Sequence, residues 1–160
     1  MIRNNRVKQY GLAALLTIGT AFTLPATVQA ATFDKAETDI AYRQAAFSMI
    51  AINLGDMADM VKGKKAWDEA AFQQRAAQLA QLAPMAEVGF QAADSQHGDT
   101  KAKAAVWTDS AEFAAQFKQF ISDADNLAAV AQQGDRGQMK KAFGQAAKNC
   151  KACHSDFKEK

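Results

Sequence analysis

Punctuating and chemically armed residues are scarce in this chain. Of its 160 residues only two are cysteine, two histidine and two proline. β-Branched residues thin out after Ala31, and one of the two prolines, Pro25, lies in the first thirty residues. No Gly-rich phosphate loop and no nucleophile–base motif occurs, so no enzymatic activity is expected. No internal repeat or low-complexity linker is visible. A basic excess is missing too. The full chain has 19 Lys+Arg against 17 Asp+Glu, but Arg3, Arg6 and Lys8 sit in the first thirty residues, which hold no acid. Without them 16 basic side chains face 17 acidic ones. Nucleic acid and anionic membrane both select clustered positive charge, so neither is an expected partner.

What is present begins with a basic start and the apolar run "GLAALLTIGTAFTL", Gly11 to Leu24, closed by Pro25. Val28 and Ala30 supply the small side chains of a cleavage site. This is the layout of a secretory signal peptide, residues 1–30, and it places the mature chain, residues 31–160, in the periplasm. A membrane anchor is the alternative, but the run is short for a span of about 20 apolar residues.

The remainder is rich in Ala, Gln, Lys, Met and Leu, all good helix formers, and reads as one all-α domain. Phe47, Ile50, Leu54, Met57 and Val61 share a stripe of a helix from about Lys35 to Val61, ended by Gly63. A second helix starts at an Asp68 N-cap and runs to about Ala92, carrying Phe72, Leu79, Leu82 and Phe90, with a kink at Pro84. Asp94 to Trp107 reads as a loop, with room for a short helical turn. A third helix starts at Thr108 or Asp109, carries Phe113, Phe117, Phe120, Ile121, Leu127 and Val130, and breaks at Gly134. The fourth runs from Asp135 nearly to the end. Four amphipathic helices with short connections predict an antiparallel four-helix bundle.

Chemistry concentrates on the last helix, in "NCKACHSDFKEK". Met139, Phe143, Ala146, Cys150, Cys153, His154 and Phe157 recur at steps of three or four and share its apolar face. Both thiols and the imidazole are therefore predicted to point into the bundle. Cys-x-x-Cys-His is the c-type haem signature: each sulfur bonds a former vinyl group, and His154 is held beneath the iron. A zinc site needs about four ligands and would recruit His97 from a distant loop, where that residue reads better as surface. A thioredoxin-like pair sits at a helix N-terminus near a βαβ unit, and a structural disulfide leaves His154 unexplained.

With these residues in view, the mature chain resembles the cytochromes c′, the class II c-type cytochromes. "YRQAAFSMIAINLGDMADMVKGK" (Tyr42 to Lys64) is similar to their first helix, "AVWTDSAEFAAQF" (Ala105 to Phe117) to the start of the third, and "KAFGQAAKNCKACHSDFK" (Lys141 to Lys158) to the haem helix. The C-terminal placement of Cys-x-x-Cys-His is the most specific part. The resemblance implies one covalent haem c held by Cys150 and Cys153, with His154 as axial ligand. It implies Phe47 over the distal face as a non-ligating cover that leaves the iron high-spin and five-coordinate. It implies Arg43 at the haem edge near a propionate, Gln44 beside it, and Lys158 flanking the proximal pocket where the family often has Arg. On sequence alone Arg43 reads equally well as a solvated surface residue. Small diatomic gases (nitric oxide and carbon monoxide) and redox proteins are the implied partners, and homodimers through the first two helices are common in the family. The low-spin cytochrome c-556 type, an electron carrier with a distal methionine, is the alternative. Met49 lies two residues beyond Phe47, about 200° around the helix. It reads as core packing, as do Met57, Met60, Met85 and Met139. A non-haem zinc or thiol protein is the alternative of another class.

Overall fold

The computed structural model describes residues 35–160. The expected signal peptide and its cleavage site lie outside the described residues. Helix α1 (Ala36–Val61) carries Glu37 and Asp39 in its first turn, where negative charge suits the helix dipole. It buries Ile40, Ile50, Met57 and Met60 on one side. Gly63, at φ 72°, takes the left-handed conformation that ends it.

Helix α2 (Glu69–Val88) opens as predicted, with the Asp68 carboxylate accepting from Ala71 N at 2.9 Å. It runs through Pro84 and ends earlier than the periodicity predicts, at Val88 rather than near Ala92. The end coincides with Gly89, where α1 passes close by. A Cβ on Gly89 would stand 2.7 Å from Arg43 Cβ and 2.8 Å from Asp39 O. Only a residue without a side chain allows that approach.

Residues 89–104 then form a connector with a 3-10 turn at Ala93–Gln96. It closes in the short helical turn for which the sequence left room, and the third long helix starts at Ser110, one residue after the expected Asp109. A single turn, α3 (Ala105–Thr108), stops where Asp109 leaves helical geometry, and α4 (Ser110–Ala131) follows. Helix α5 (Arg136–Phe157) has the expected cap, Asp135 Oδ1 accepting from Gln138 N at 2.9 Å.

The four long helices form an antiparallel bundle in which α1 packs on α2, α2 on α4 and α4 on α5. Direct packing of α1 on α5 is slight, which leaves a seam between the first and last helices. Met57, Met60, Phe72, Leu79, Leu127 and Met139 are fully buried. Each such side chain contributes roughly 1.5–3 kcal/mol of transfer free energy relative to exposure. Met49 and Met85 depart from the expected core packing. They are 43% and 40% exposed, beside Ile52 at 67%, on the outer face where α1 meets α2. No described helix is long and apolar enough to cross a membrane. Among the described residues no strand occurs, only an isolated antiparallel bridge between Ala102 and Lys158.

Candidate functional site

The α1–α5 seam opens into a cavity of about 660 Å³. Six phenylalanines line it: Phe47 from α1, Phe90 from the connector, Phe113, Phe117 and Phe120 from α4, and Phe157 from α5. The rings meet edge to face, Phe90 and Phe113 at 5.0 Å and Phe113 and Phe157 at 5.3 Å between centroids. That geometry suits the ring quadrupole. Cys150, Cys153 and His154 line the same cavity from the last two turns of α5.

Both cysteines are half-buried and unbridged. Burial, then the neighbouring Cys153, pushes the Cys150 thiol up to about 11. Burial, then Asp156, raises Cys153 as well. Low polarity disfavours a thiolate, and a thiol active in disulfide exchange needs the opposite shift. His154 lines the cavity but is more exposed than the inward-pointing imidazole the sequence predicts; partial burial, and then Lys158, lowers its pKa. A neutral imidazole retains the lone pair that a metal requires. No group of three or more His, Cys, Asp or Glu that could hold a metal ion occurs among the described residues, and His97 lies exposed on the connector.

The Phe47 ring faces His154, with centroids 6.4 Å apart and planes at 66°. It also touches Phe90 and Phe117 at 6.1 and 6.3 Å. Among the described residues no methionine lines the cavity. Met49 points to the opposite, outer side of α1, as its 200° offset from Phe47 requires.

Arg43 is not the solvated residue that sequence alone equally allowed. It is 2% exposed. Nη1 donates to Gly89 O at 2.7 Å and Ser95 Oγ at 2.9 Å. Nη2 donates to Ser95 O at 2.7 Å and Thr100 Oγ1 at 2.8 Å. The guanidinium also stacks on Phe90, 4.7 Å from its centroid, and on Trp107 at 5.6 Å. Burial lowers its pKa and Asp39 opposes that, but a guanidinium stays charged at any ordinary pH. Arg43 thus borders the cavity while its four terminal N–H groups are engaged by the connector. Gln44 is exposed at the rim, its Nε2 donating to Asp99 O at 2.8 Å. Lys158, at the end of α5, is exposed and donates its backbone N–H to His154 O at 3.3 Å.

Sequence reasoning missed two parts of the site. Ser95 and Thr100 lie in a stretch without periodicity, which gave no signal. Asn149, next to Cys150, donates to the carboxylate of Asp123, which also accepts from Gln119 at 3.1 Å. A carboxylate on the Phe120–Leu127 face of α4 was the available clue, since buried acids are paired.

A largely apolar cavity of this size falls in the range of small-molecule sites, about 300–1,000 Å³. Two protonated thiols one helical turn apart and an adjacent neutral imidazole form one wall. These features suit a flat apolar macrocycle with a central metal, tethered through neutral sulfur.

Comparison with known proteins agrees. The family described as Cytochrome C′ matches residues 38–158. Cytochrome c′ of Rubrivivax gelatinosus is 39% identical over 129 residues, covering 80% of this chain and 99% of that protein. The structure of cytochrome c′ from Shewanella frigidimarina superposes with a TM-score of 0.78 at 42% identity, covering 81% of this chain and all of that one. A ferrous variant of cytochrome c′ from Alcaligenes xylosoxidans with bound nitric oxide superposes at 0.73 with 32% identity, covering 80% and 98%.

Proposed function

This chain belongs to the cytochrome c′ family, whose members carry covalently bound haem c, and from that premise we propose that it is a periplasmic, high-spin, five-coordinate monohaem protein binding nitric oxide and carbon monoxide. Residues 1–30 are its signal peptide, and the mature chain starts at Ala31. Haem iron supplies a redox-active centre open to one small neutral ligand.

The residues divide the work. Cys150 and Cys153 tether the porphyrin from one face of α5, and their burial suits a thioether, which carries no charge. The neutral imidazole of His154 holds the iron from the proximal side. Lys158 keeps positive charge beside that imidazole but lacks the planar fork of arginine. Phe47 cannot ligate, excludes bulky or strongly solvated molecules, and offers no hydrogen bond to bound dioxygen. Small diatomics enter by displacing its ring. Gln44 borders the haem edge from the rim. Arg43 lies at the same edge, already fixed by the connector.

The observation that carries this reading is the placement of Phe47, 6.4 Å from His154 in a cavity with no methionine in its lining. A low-spin carrier of the c-556 type needs a thioether sulfur where Phe47 stands. Electron exchange with partner proteins is compatible with either coordination state. The role is binding and electron transfer, with no residue assigned to catalysis. The exposed Met49, Ile52 and Met85 on the α1–α2 face support a homodimer through that face.

Absorption spectra of the exported protein test the proposal. A pyridine haemochrome of the c type and a broad high-spin ferrous spectrum that converts on adding nitric oxide are expected. A sharp ferrous α band with a methionine–iron charge-transfer band points to the c-556 type instead. No haemochrome from a host able to mature such cytochromes leaves the zinc or thiol reading.

A further inference from the structure

The connector between α2 and α4 bridges the seam that direct helix packing leaves open. At the α1 end it is held by Arg43 and Gln44. At the α5 end Lys103 N donates to Phe157 O at 3.0 Å and Glu159 N to Lys101 O at 2.8 Å. Lys103 Nζ adds a bond to Ser155 O at 2.8 Å. The two attachments meet at Thr100. Its Oγ1 accepts from Arg43 Nη2 at 2.8 Å and from Ala102 N at 3.1 Å. Two donors occupy both lone pairs of that oxygen.

One hydroxyl therefore joins two walls of the cavity. On one side stands the guanidinium of Arg43, one helical turn before Phe47. On the other stands Ala102, bridged to Lys158 one turn after His154. Arg43 is buried, charged and packed against Phe90 and Trp107, so it is a fixed anchor rather than a swinging surface group. A hydroxyl bonded only to the N–H two residues on would shape its own turn and nothing else. The bond from α1 makes the difference.

We propose that Thr100 is a positioning residue: its hydroxyl latches α1 to the end of α5, fixes how far Phe47 stands from His154, and so sets how readily a diatomic ligand enters. The consequence for ligand entry rests on the haem-protein reading above, whereas the latch does not.

The test uses the haem-loaded protein and three variants at one site. Thr100→Val removes the acceptor at nearly constant volume, Thr100→Ala does so with no second methyl to place, and Thr100→Ser restores it. Amide hydrogen exchange is read at Lys103 and Glu159, against amides in the middle of α4 as internal reference. Carbon monoxide association with the ferrous protein is read beside it. Val, or Ala should Val not fold, is expected to speed exchange at both latch amides about tenfold while the α4 amides stay unchanged. The same variant is expected to raise the association rate several-fold, and Ser to return both readings to those of the parent. Unchanged exchange at Lys103 and Glu159 overturns the latch. Faster exchange with an unchanged association rate overturns the positioning role. Uniformly faster exchange, α4 included, assigns Thr100 to general stability and overturns it too. If the parent carries no haem, the functional reading has failed, while the exchange measurement still decides the latch.

Discussion

Phe47 and His154 face one another from the first and last helices with ring centroids 6.4 Å apart and planes at 66°. The pair sets an apolar, non-ligating ring against a neutral imidazole inside one cavity. What each contributes depends on the other, so substitution at position 47 is the most direct probe of the site.

Phe47→Met places a thioether in that position. The variant is expected to shift from a high-spin to a low-spin ferrous spectrum with a sharp α band, read by absorption spectroscopy. Phe47→Ala, which clears the ring, is expected to speed carbon monoxide association at least tenfold, read by stopped flow. An unchanged spectrum in the methionine variant would argue that Phe47 does not cover the iron.

Arg43→Leu removes the guanidinium donor from Gly89 O, Ser95 and Thr100 and the cation whose charge acts on Asp39. Breaking a buried charged arrangement of this kind costs about 3–5 kcal/mol. Denaturant unfolding of the variant should show a loss of that order. Arg43→Lys keeps the charge but not the fork, and is expected to recover only part of it.

Ile52→Glu puts a charge on the exposed face shared by Met49, Ile52 and Met85. Sedimentation is expected to show dimer in the parent and monomer in the variant, with the haem spectrum unchanged. A parent that sediments as a monomer at every concentration would remove the dimer reading.

Asp56 links α1 to α2, accepting from Lys65 at 2.6 Å and Arg75 at 2.9 Å. Those two bonds hold its pKa below the ordinary value of 3.8. A carboxylate with a depressed folded pKa stabilises the fold above its unfolded pKa, and that stabilisation fades as pH falls through the folded one. Asp56→Asn should therefore be less stable than the parent by a constant amount between pH 5 and 8, under about 1 kcal/mol for so solvated a pair. The difference should begin to shrink as pH falls below 3.8 and be lost only below the still lower folded-state pKa. Thermal unfolding across that range reads it.

How much of this was legible in the sequence varies with the distance between partners. That Cys150, Cys153, His154 and Phe157 line one cavity was legible because they lie on one face at helical spacing, and the Asp68 and Asp135 caps are purely local. The clasp around Arg43 was not. Its partners lie 46 to 57 residues away, in a connector with neither helical nor strand period. The early end of α2 falls at Gly89, a helix-ending residue that the apolar spacing running on to Phe90 outweighed. Met49 and Met85 show a different limit. Periodicity marks the apolar side of a helix, but a methionine turned toward the core and one turned outward obey the same spacing rule.

Gly89 has a consequence for how this ligand chamber can change. A single methyl there would press on Arg43 and on the backbone of Asp39, and Arg43 carries the connector. The chamber can thus be reshaped from a position that has no side chain and whose nearest neighbours are Arg43 and Asp39 rather than Cys150, Cys153, His154 or Phe47. A search for altered gas selectivity that saturates only the pocket wall would miss Gly89, which acts on that wall through Arg43.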